Sequence, residues 1–492
     1  MTSDRLHSTT EDGVMREDVT TEYGAESKNE RVLETGSYLQ LVLRLALPAM
    51  IVIIVMVLYN LADTFFIGQM GNLEKIAAIS VCMPVFTVLS GIGTLFGIGG
   101  GTAVSIALGE KNRQQIGEIT AFCCMGTLLV GTVYGFLTGL FAEPLCRILG
   151  AEESFLADAE RYLKIFAFSS PFVLFSTAHG SILRSDGEAA TAMLANLGGT
   201  LLNIVLDALF ILGLHMDVAG AAAATVIGNV FSAVLVLLLL LKKKQVFLPH
   251  RQNLHFRREV VVPVLTLGLP MTFSTILGSV SNAVQNRMMV AHDSVFLTAQ
   301  SVAGKLGLII TMLIMGFCMG LQPAVSYNFG SKNYKRMYEI LRKTAAFTLT
   351  AGTLLALCVY LNRARLVAAF IQDEGVIRYG QIFVLANICV APVYAVYQTF
   401  QTFLQATGKA DYAIIVSLLD KGLVFLPVLA VMNRLYGAYG IAFSHAATMI
   451  SLCDHSRGTD DALEPYLTFQ QCLTEALFYI RKVSDHRFCG IL

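Results

Sequence analysis

Four polar side chains stand in otherwise apolar segments and could together bind a small cation. Asp63 lies in YNLADTFF, Thr225 lies in AAAATVIGN, and Asn203 and Asp207 lie in LLNIVLDALF. A spacing of four puts Asn203 and Asp207 on one face of a helix. Two carboxylates, an amide and a hydroxyl are hard oxygen ligands, which suit H⁺ or a monovalent cation such as Na⁺. The alternative is a structural role, with Asp207 a satisfied buried acid and Thr225 bonded to its own backbone.

A polar stripe with aromatic neighbours forms a second candidate site. Gln398, Gln401 and Gln405 follow one another at i, i+3 and i+7, beside Tyr394 and Tyr397. On a helix, this stripe predicts the lining of a substrate cleft. Helix–helix contact through the amide groups is the alternative.

Two further charges lie next to each other inside an apolar run. Asp420 and Lys421 are neighbours in sequence. Residues one apart on a helix do not face each other. We therefore expect both side chains to face the cleft rather than to pair.

The composition indicates which elements position these residues. Charged residues make up 14% of the 492, against about 25% in a typical soluble protein. Hydrophobic residues reach 55% and the mean hydropathy is +0.63. Charge is scarcer still between residues 38 and 452. This composition excludes an ordinary soluble enzyme, and a net charge of +0 gives no support to nucleic-acid binding. We predict a polytopic membrane protein.

The apolar runs are long enough to cross about 30 Å of hydrocarbon as helices. We predict an all-α polytopic fold of about twelve spans, numbered in chain order. The predicted spans are 38–68, 76–106, 119–142, 162–183, 189–213, 219–241, 260–290, 298–328, 344–361, 380–405, 411–432 and 438–452.

Lys and Arg are shared unevenly between alternate loops. Loops on the side of the N-terminus carry 15 of them and the opposite loops carry 8, so both termini are predicted to be cytoplasmic. The predicted divisions are an acidic, disordered cytoplasmic tail at 1–37, a six-helix lobe at 38–241, a basic cytoplasmic linker at 242–258, a second six-helix lobe at 259–452 and a polar tail at 453–492.

The two halves repeat each other at a nearly constant offset in residue number. Pro48 in LALP matches Pro270 in LGLP, and the pattern AVSxxxGxKN occurs at 103–112 and again at 324–333. Six spans per half is an even number, so both halves enter the membrane with the same polarity and form a parallel repeat. Two such lobes around a central cleft favour a transporter, and a duplicated receptor or scaffold is the alternative.

The cation chemistry is confined to the first half. Asp63, Asp207 and Thr225 each lie about six residues, or roughly 9 Å, from the same membrane surface. The second half has lost these groups. At the repeat positions of Asp63, Asn203, Asp207 and Thr225 stand Gln285, Val424, Val428 and His445. Gln285 is therefore assigned to the substrate cleft.

No motif for covalent or cofactor chemistry is apparent. HExxH, CxxC and nucleophile-elbow patterns do not occur, and Gly408-Lys409 lacks the spacing of an ATP-binding loop. We therefore expect no enzyme activity, no cofactor and no metal other than Na⁺ as coupling ion. A monomer in the lipid bilayer is expected.

The chain resembles the multidrug and toxic compound extrusion (MATE) family of antiporters, and within it the MepA-like bacterial branch. The resemblance covers about residues 38–450 and is carried by LALPAM…YNLADTFFIGQMG, GTAVSIALGEKN, GLQPAVSYNFGSKNYKR and FLQATGKAD. It implies export of organic cations across the cell membrane in exchange for H⁺ or Na⁺, and with it antibiotic resistance.

The resemblance also implies roles for particular residues. In family members with a cation site in the N-terminal lobe, an Asp of span 1, an Asn and an Asp of span 5 and a Thr of span 6 bind the coupling ion. Asp63, Asn203, Asp207 and Thr225 fall on those positions. Pro48 corresponds to a span-1 proline at which the helix is proposed to bend on protonation.

The last span departs from the family pattern. Its apolar sequence stops near Leu452 and gives way to CDHSRGTDDALEP. This predicts a shortened twelfth span, as a truncated or frameshifted gene would produce. In the unrelated tail, 462–482 is predicted to form an amphipathic helix at the membrane surface. The alternatives to efflux are a lipid-linked saccharide flippase of the same superfamily, a membrane-embedded enzyme and a non-transporting scaffold.

Overall fold

The chain folds as a bundle of long helices. In this computed structural model, ten helices of the described residues are long and apolar enough to cross a membrane, and one bent pair of helices adds an eleventh. The backbone at Gly437, with φ +58°, divides the run Ala410–Met449 into two helices and so makes twelve. The predicted all-α fold is confirmed. The structure describes residues 28–68, 73–242, 257–371 and 373–455.

The first lobe contains spans 1 to 6. Asn112 begins span 3, because its side chain accepts a hydrogen bond from the Gln115 N–H at 3.2 Å, as an N-cap residue does. Pro171 stands in the first turn of the second half of span 4, where no backbone donor is needed. The six spans are Tyr38–Leu41 with Leu47–Gly68, Leu73–Gly109, Arg113–Leu140, Leu156–Ala167 with Ser170–Ser185, Ala189–Asp207 and Asp217–Lys242; a short helix, Ala142–Ile148, follows span 3.

The second lobe repeats this order. Asn333 caps span 9 as Asn112 caps span 3, accepting from the Arg336 N–H at 3.3 Å. Its helices are Arg258–Val290, Ser294–Gly330, Tyr334–Phe370, Glu374–Ile388 with Ala391–Ala406, Ala410–Leu418 and Phe425–His455; Gly437 separates spans 11 and 12 within the last two.

The repeat extends to the backbone conformation of the turns. Lys111 and Lys332 both have φ +59°, and Gly187 and Gly408 have φ +79° and +76°. The members of each pair occupy equivalent positions in the two halves of the sequence. The pattern AVSxxxGxKN therefore encodes a helix end, a left-handed residue and an asparagine cap, once in each lobe.

Within the part of the chain that the structure describes, three spans contain a π-helical turn. The turns are Val42–Ala46 in span 1, Ala208–Gly213 in span 5 and Leu419–Leu423 in span 11. In span 1 the turn lies just before Pro48, which has no N–H for the Arg44 carbonyl. The Leu47 N–H bonds instead to the Val42 carbonyl five residues back, which is the π-helical pattern. The distortion is thus located at the proline from which bending was predicted.

The lobes meet at the face of the bundle where the chain enters span 1, here called the N-terminal face. Spans 2 and 8 touch so closely there that a Cβ on Gly109 would overlap the Tyr327 carbonyl oxygen. Spans 2 and 7 are equally close, since a Cβ on Gly99 would overlap the Val264 carbonyl oxygen. Backbone contact at these glycines closes the N-terminal face.

Helices extend into both segments that were predicted to be tails. Part of the tail predicted as disordered forms a helix, Lys28–Thr35, whose Leu33 is 1% exposed and whose Leu33 carbonyl accepts a hydrogen bond from Asn328 Nδ2 at 3.1 Å. Span 12 continues to His455, beyond the predicted end at Leu452. From residue 438 to 455 the helix is about 27 Å long, close to the roughly 30 Å of a bilayer core.

The other assignments in these regions stay predictions. Most of the 1–37 tail, most of the 242–258 linker, and residues 456–492 with the predicted helix at 462–482 lie outside the described residues.

Candidate functional site

Spans 5 and 6 bring together three of the four predicted cation ligands in one small region of the first lobe. Asp207 is fully buried and Asn203 is 4% exposed. Asn203 Nδ2 donates a hydrogen bond to Thr225 Oγ1 at 3.5 Å. The Thr225 hydroxyl itself donates to the Ala221 carbonyl at 3.0 Å, so its bond to its own backbone is also present. Thr225 can therefore offer its oxygen lone pairs to a neighbour but not its proton.

Two glycines allow this approach. A Cβ on Gly228 would lie 2.8 Å from Asn203 Cβ and 2.8 Å from the Gly199 carbonyl oxygen, while a Cβ on Gly199 would lie 2.6 Å from the Gly228 carbonyl oxygen. Small residues let membrane helices approach backbone to backbone. The Gly199–Gly228 contact thus sets the distance between Asn203 and Thr225.

Within the described part of the chain, one buried oxygen atom of this cluster lacks a hydrogen-bond partner. Asn203 Oδ1 is buried and has no hydrogen-bond partner among the described residues. Asp207 is the last residue before the π-helical turn Ala208–Gly213, one helical turn beyond Asn203. A fully buried carboxylate is costly unless it is neutralised by a proton, a cation or hydrogen bonds. The arrangement suits a proton or small cation shared between Asp207 and the Asn203 oxygen.

Span 1 supplies the fourth position. The helix Leu47–Gly68 packs against span 5, and the Asp63 backbone lies within it. The Asp63 side chain is outside the described part of the structure, so its carboxylate remains a predicted ligand. The structure places its helix against the helix that carries Asn203 and Asp207.

The glutamine stripe divides into different roles. Gln401 was expected to line the cleft, but it is 5% exposed and its Nε2 donates to Ser417 Oγ at 2.8 Å and to the Ala413 carbonyl at 3.3 Å. Gln285 likewise donates to the Ile441 carbonyl of span 12 at 3.2 Å. The Gln401 prediction is corrected: its amide joins spans 10 and 11, because a buried amide must find a partner inside the bundle. Gln285 is half-buried, and its place in the cleft stays a prediction.

The remaining residues of the predicted stripe differ in how much of their surface is exposed. Gln398 and Gln405 are 8% and 5% exposed. Tyr394 and Tyr397 are half-buried, with ring centroids 6.1 Å apart. Of the predicted stripe, the tyrosine pair is the part that retains exposed surface.

The second lobe contains an ionic cluster that differs from the sequence-based expectation. Asp420 is fully buried and pairs with Lys421 Nζ at 2.9 Å, although the two are adjacent and were expected not to face each other. They lie in the π-helical turn Leu419–Leu423, and the flexible lysine chain reaches back to the carboxylate. Tyr397 and His445 lie close enough to Asp420 to interact with its charge. In the sequence, the only indication of this ion pair was that two opposite charges stand next to each other inside an apolar run.

The fold defines a class of protein: a two-lobed bundle of membrane-spanning helices with a cluster of buried polar side chains in the first lobe. The model of the MatE family matches residues 48–209 and 270–431, which are the two halves of the repeat. The chain belongs to the MatE family.

Individual relatives agree with this assignment. The chain is 30% identical over 414 residues to the multidrug export protein MepA of Staphylococcus saprophyticus, covering 84% of this chain and 91% of that protein. Among solved structures, it is similar to MATE in complex with MaL6, with a TM-score of 0.82 and 18% identity over 94% of this chain and 100% of that one. It is also similar to the outward-facing conformation of a multidrug resistance MATE family transporter of the MOP superfamily, with a TM-score of 0.81 and 19% identity over 94% and 99%.

Proposed function

We propose that the protein is a secondary active multidrug efflux antiporter that exports organic cations in exchange for H⁺ or Na⁺. The observation that carries the proposal is the cluster of buried Asn203 and Asp207 with half-buried Thr225. The helix of Asp63 packs against span 5, which carries the first two. The MepA relative, a multidrug export protein, supports the substrate class. We place the protein in the cell membrane as a monomer. The distribution of Lys and Arg favours cytoplasmic positions for both termini.

Ion binding would act by removing a charge. A carboxylate at Asp207 that gains a proton or Na⁺ no longer requires access to water, so span 5 can pack against spans 1 and 6. The loaded and empty sites then favour different packings of span 1. The π-helical turn before Pro48 supplies a place at which that span can change direction.

The lobe arrangement fits one state of this cycle. With the N-terminal face cytoplasmic, the glycine contacts of spans 2, 7 and 8 close the cytoplasmic side. On this proposal the structure corresponds to an outward-facing state, from which substrate would be released.

The test is efflux driven by each gradient separately. Everted membrane vesicles, whose cytoplasmic face is outside, are given external ethidium and an outward-directed pH gradient or Na⁺ gradient. Wild-type protein should accumulate ethidium inside the vesicles in response to at least one of them. Asp207→Asn keeps the size of the side chain and removes its charge, and it should abolish the gradient-dependent rate with normal membrane levels. Glu152→Gln, at an exposed loop position, is the matched control and should behave as wild type. Wild-type efflux in the Asp207→Asn protein would refute the site, and no gradient response in wild type would refute antiport.

A further inference from the structure

We propose that the two lobes jointly bind a small inorganic anion of about the size of chloride at the N-terminal face. A cavity of about 20 Å³ lies there between spans 2 and 4 of the first lobe and span 8 of the second. That volume holds one or two water-sized species. The polar groups that line it and matter for binding are Thr102, Ser105, Arg184, Ser185, Gln322 and Ser326.

Arg184 gives the cavity its charge. It lies in the last turn of span 4, and no carboxylate is among the described residues lining the cavity. Within the described part of the chain, its guanidinium makes no ion pair. Asp186, the acid nearest to it in sequence, is not part of the cavity wall and has an interaction of its own. The guanidinium therefore presents an uncompensated positive charge to the cavity.

The hydroxyls of Ser105 and Ser326 are the second observation at this cavity, because both residues are part of its wall. Both residues are fully buried, and neither hydroxyl has a hydrogen-bond partner among the residues described. They are repeat mates in the two copies of AVSxxxGxKN, so the repeat axis brings one from each lobe to the same cavity. Buried hydroxyls without partners are rare, and a bound ligand is one of the few explanations.

The remaining groups favour an anion over a cation. Gln322 Nε2 donates to Thr102 Oγ1 at 3.0 Å, which leaves the Thr102 hydroxyl proton free to donate. Ser185 already donates to the Gly101 carbonyl at 2.7 Å. The cavity lining thus includes one guanidinium and three hydroxyl groups that can donate, and among the described residues it holds no acidic group. Such a set binds a halide-sized anion through charge-assisted hydrogen bonds.

The site exists only while the N-terminal face is closed. Arg184, Ser105 and Thr102 belong to the first lobe, whereas Ser326 and Gln322 belong to the second. Separation of the lobes would divide the ligands between them. By linkage, an anion that binds the closed arrangement more tightly must favour that arrangement.

The experiment uses the purified full-length protein in detergent. Chloride is raised to about 0.15 M against methanesulfonate at constant ionic strength, and the thermal-unfolding midpoint is recorded. Spin labels on unnatural amino acids at the exposed positions 110 and 332 report the distance between the lobes. We expect chloride to raise the midpoint by several degrees and to increase the population with the short inter-lobe distance.

Three variants locate the effect. Arg184→Gln should abolish both chloride responses. The double variant Ser105→Ala with Ser326→Ala should weaken the apparent chloride affinity about tenfold. This double variant replaces Arg184→Gln as the test if the arginine variant does not fold. Arg342→Gln, on the same face but exposed, is the control and should respond as wild type.

Several results would overturn the proposal. Equal midpoints in chloride and methanesulfonate would show no anion site. A chloride response retained by the Arg184→Gln protein, or lost in the Arg342→Gln control, would place the effect elsewhere. A response to phosphate without one to chloride would refute the assigned size. These measurements need no transport, so their failure leaves the antiport proposal to be judged by its own assay.

Discussion

The close approach of spans 5 and 6 at Gly228 offers a quantitative test of the cation site. In Gly228→Ala the new methyl would lie 2.8 Å from Asn203 Cβ and from the Gly199 carbonyl oxygen, and neither is the end of a flexible side chain. Ordinary carbon contacts need about 3.5–4.0 Å, so the helices must separate by roughly 0.7–1.2 Å. The Asn203–Thr225 hydrogen bond is already 3.5 Å long and would be broken.

The expected cost has two parts. Overpacking should lower the free energy of unfolding by about 1–3 kcal/mol. Loss of one ligand contact worth about 1 kcal/mol should lower the affinity for the coupling ion by about five- to tenfold. The assay is the ion concentration that gives half-maximal ethidium efflux, measured beside the thermal-unfolding midpoint.

The control is another helical glycine. Gly304 in span 8 has no neighbouring atom within 4 Å of the position that an added methyl group would take, so Gly304→Ala should leave ion dependence and stability near wild type. Gly228→Ala with wild-type ion dependence would refute the view that this contact sets the ligand geometry.

Three further predictions test other parts of the bundle. Lys421→Met should destabilise the protein by about 3–5 kcal/mol, because it leaves Asp420 buried without its partner. Adding Asp420→Leu should restore most of the thermal-unfolding midpoint. An unchanged midpoint in Lys421→Met would contradict this prediction. Ser417→Ala should lower the midpoint through a loss of about 1 kcal/mol at the Gln401 amide while efflux persists, whereas a changed substrate profile would return Gln401 to the cleft. Glu30→Gln should weaken the ion pair of the helix Lys28–Thr35 with Arg113 and increase the proteolysis of that helix, and equal cleavage rates would refute its docking.

Prediction from the sequence was most accurate for features that depend on local pattern. Long apolar runs, caps such as Asn112 and the internal repeat specify helices and turns without knowledge of their neighbours. The common face of Asn203 and Asp207 could also be predicted, since both lie on one regular helix that ends before the π-helical turn begins. The prediction for Gln401 was wrong because it depended on which neighbouring helix the side chain would meet. The prediction for Asp420 and Lys421 was wrong because it assumed a regular helix, whereas the two lie in a π-helical turn.

By itself, the sequence determined a two-lobed helical membrane protein with scarce intramembrane charges, because apolar length and residue spacing are properties of single segments. Only the tertiary structure decided which polar groups share a location. Helix rotation, π-helical turns and glycine contacts set those pairings, and none has a signature in spacing alone. That is why Ser105 and Ser326, ordinary polar residues of a repeated motif, became recognisable as partners only when the lobes were seen together.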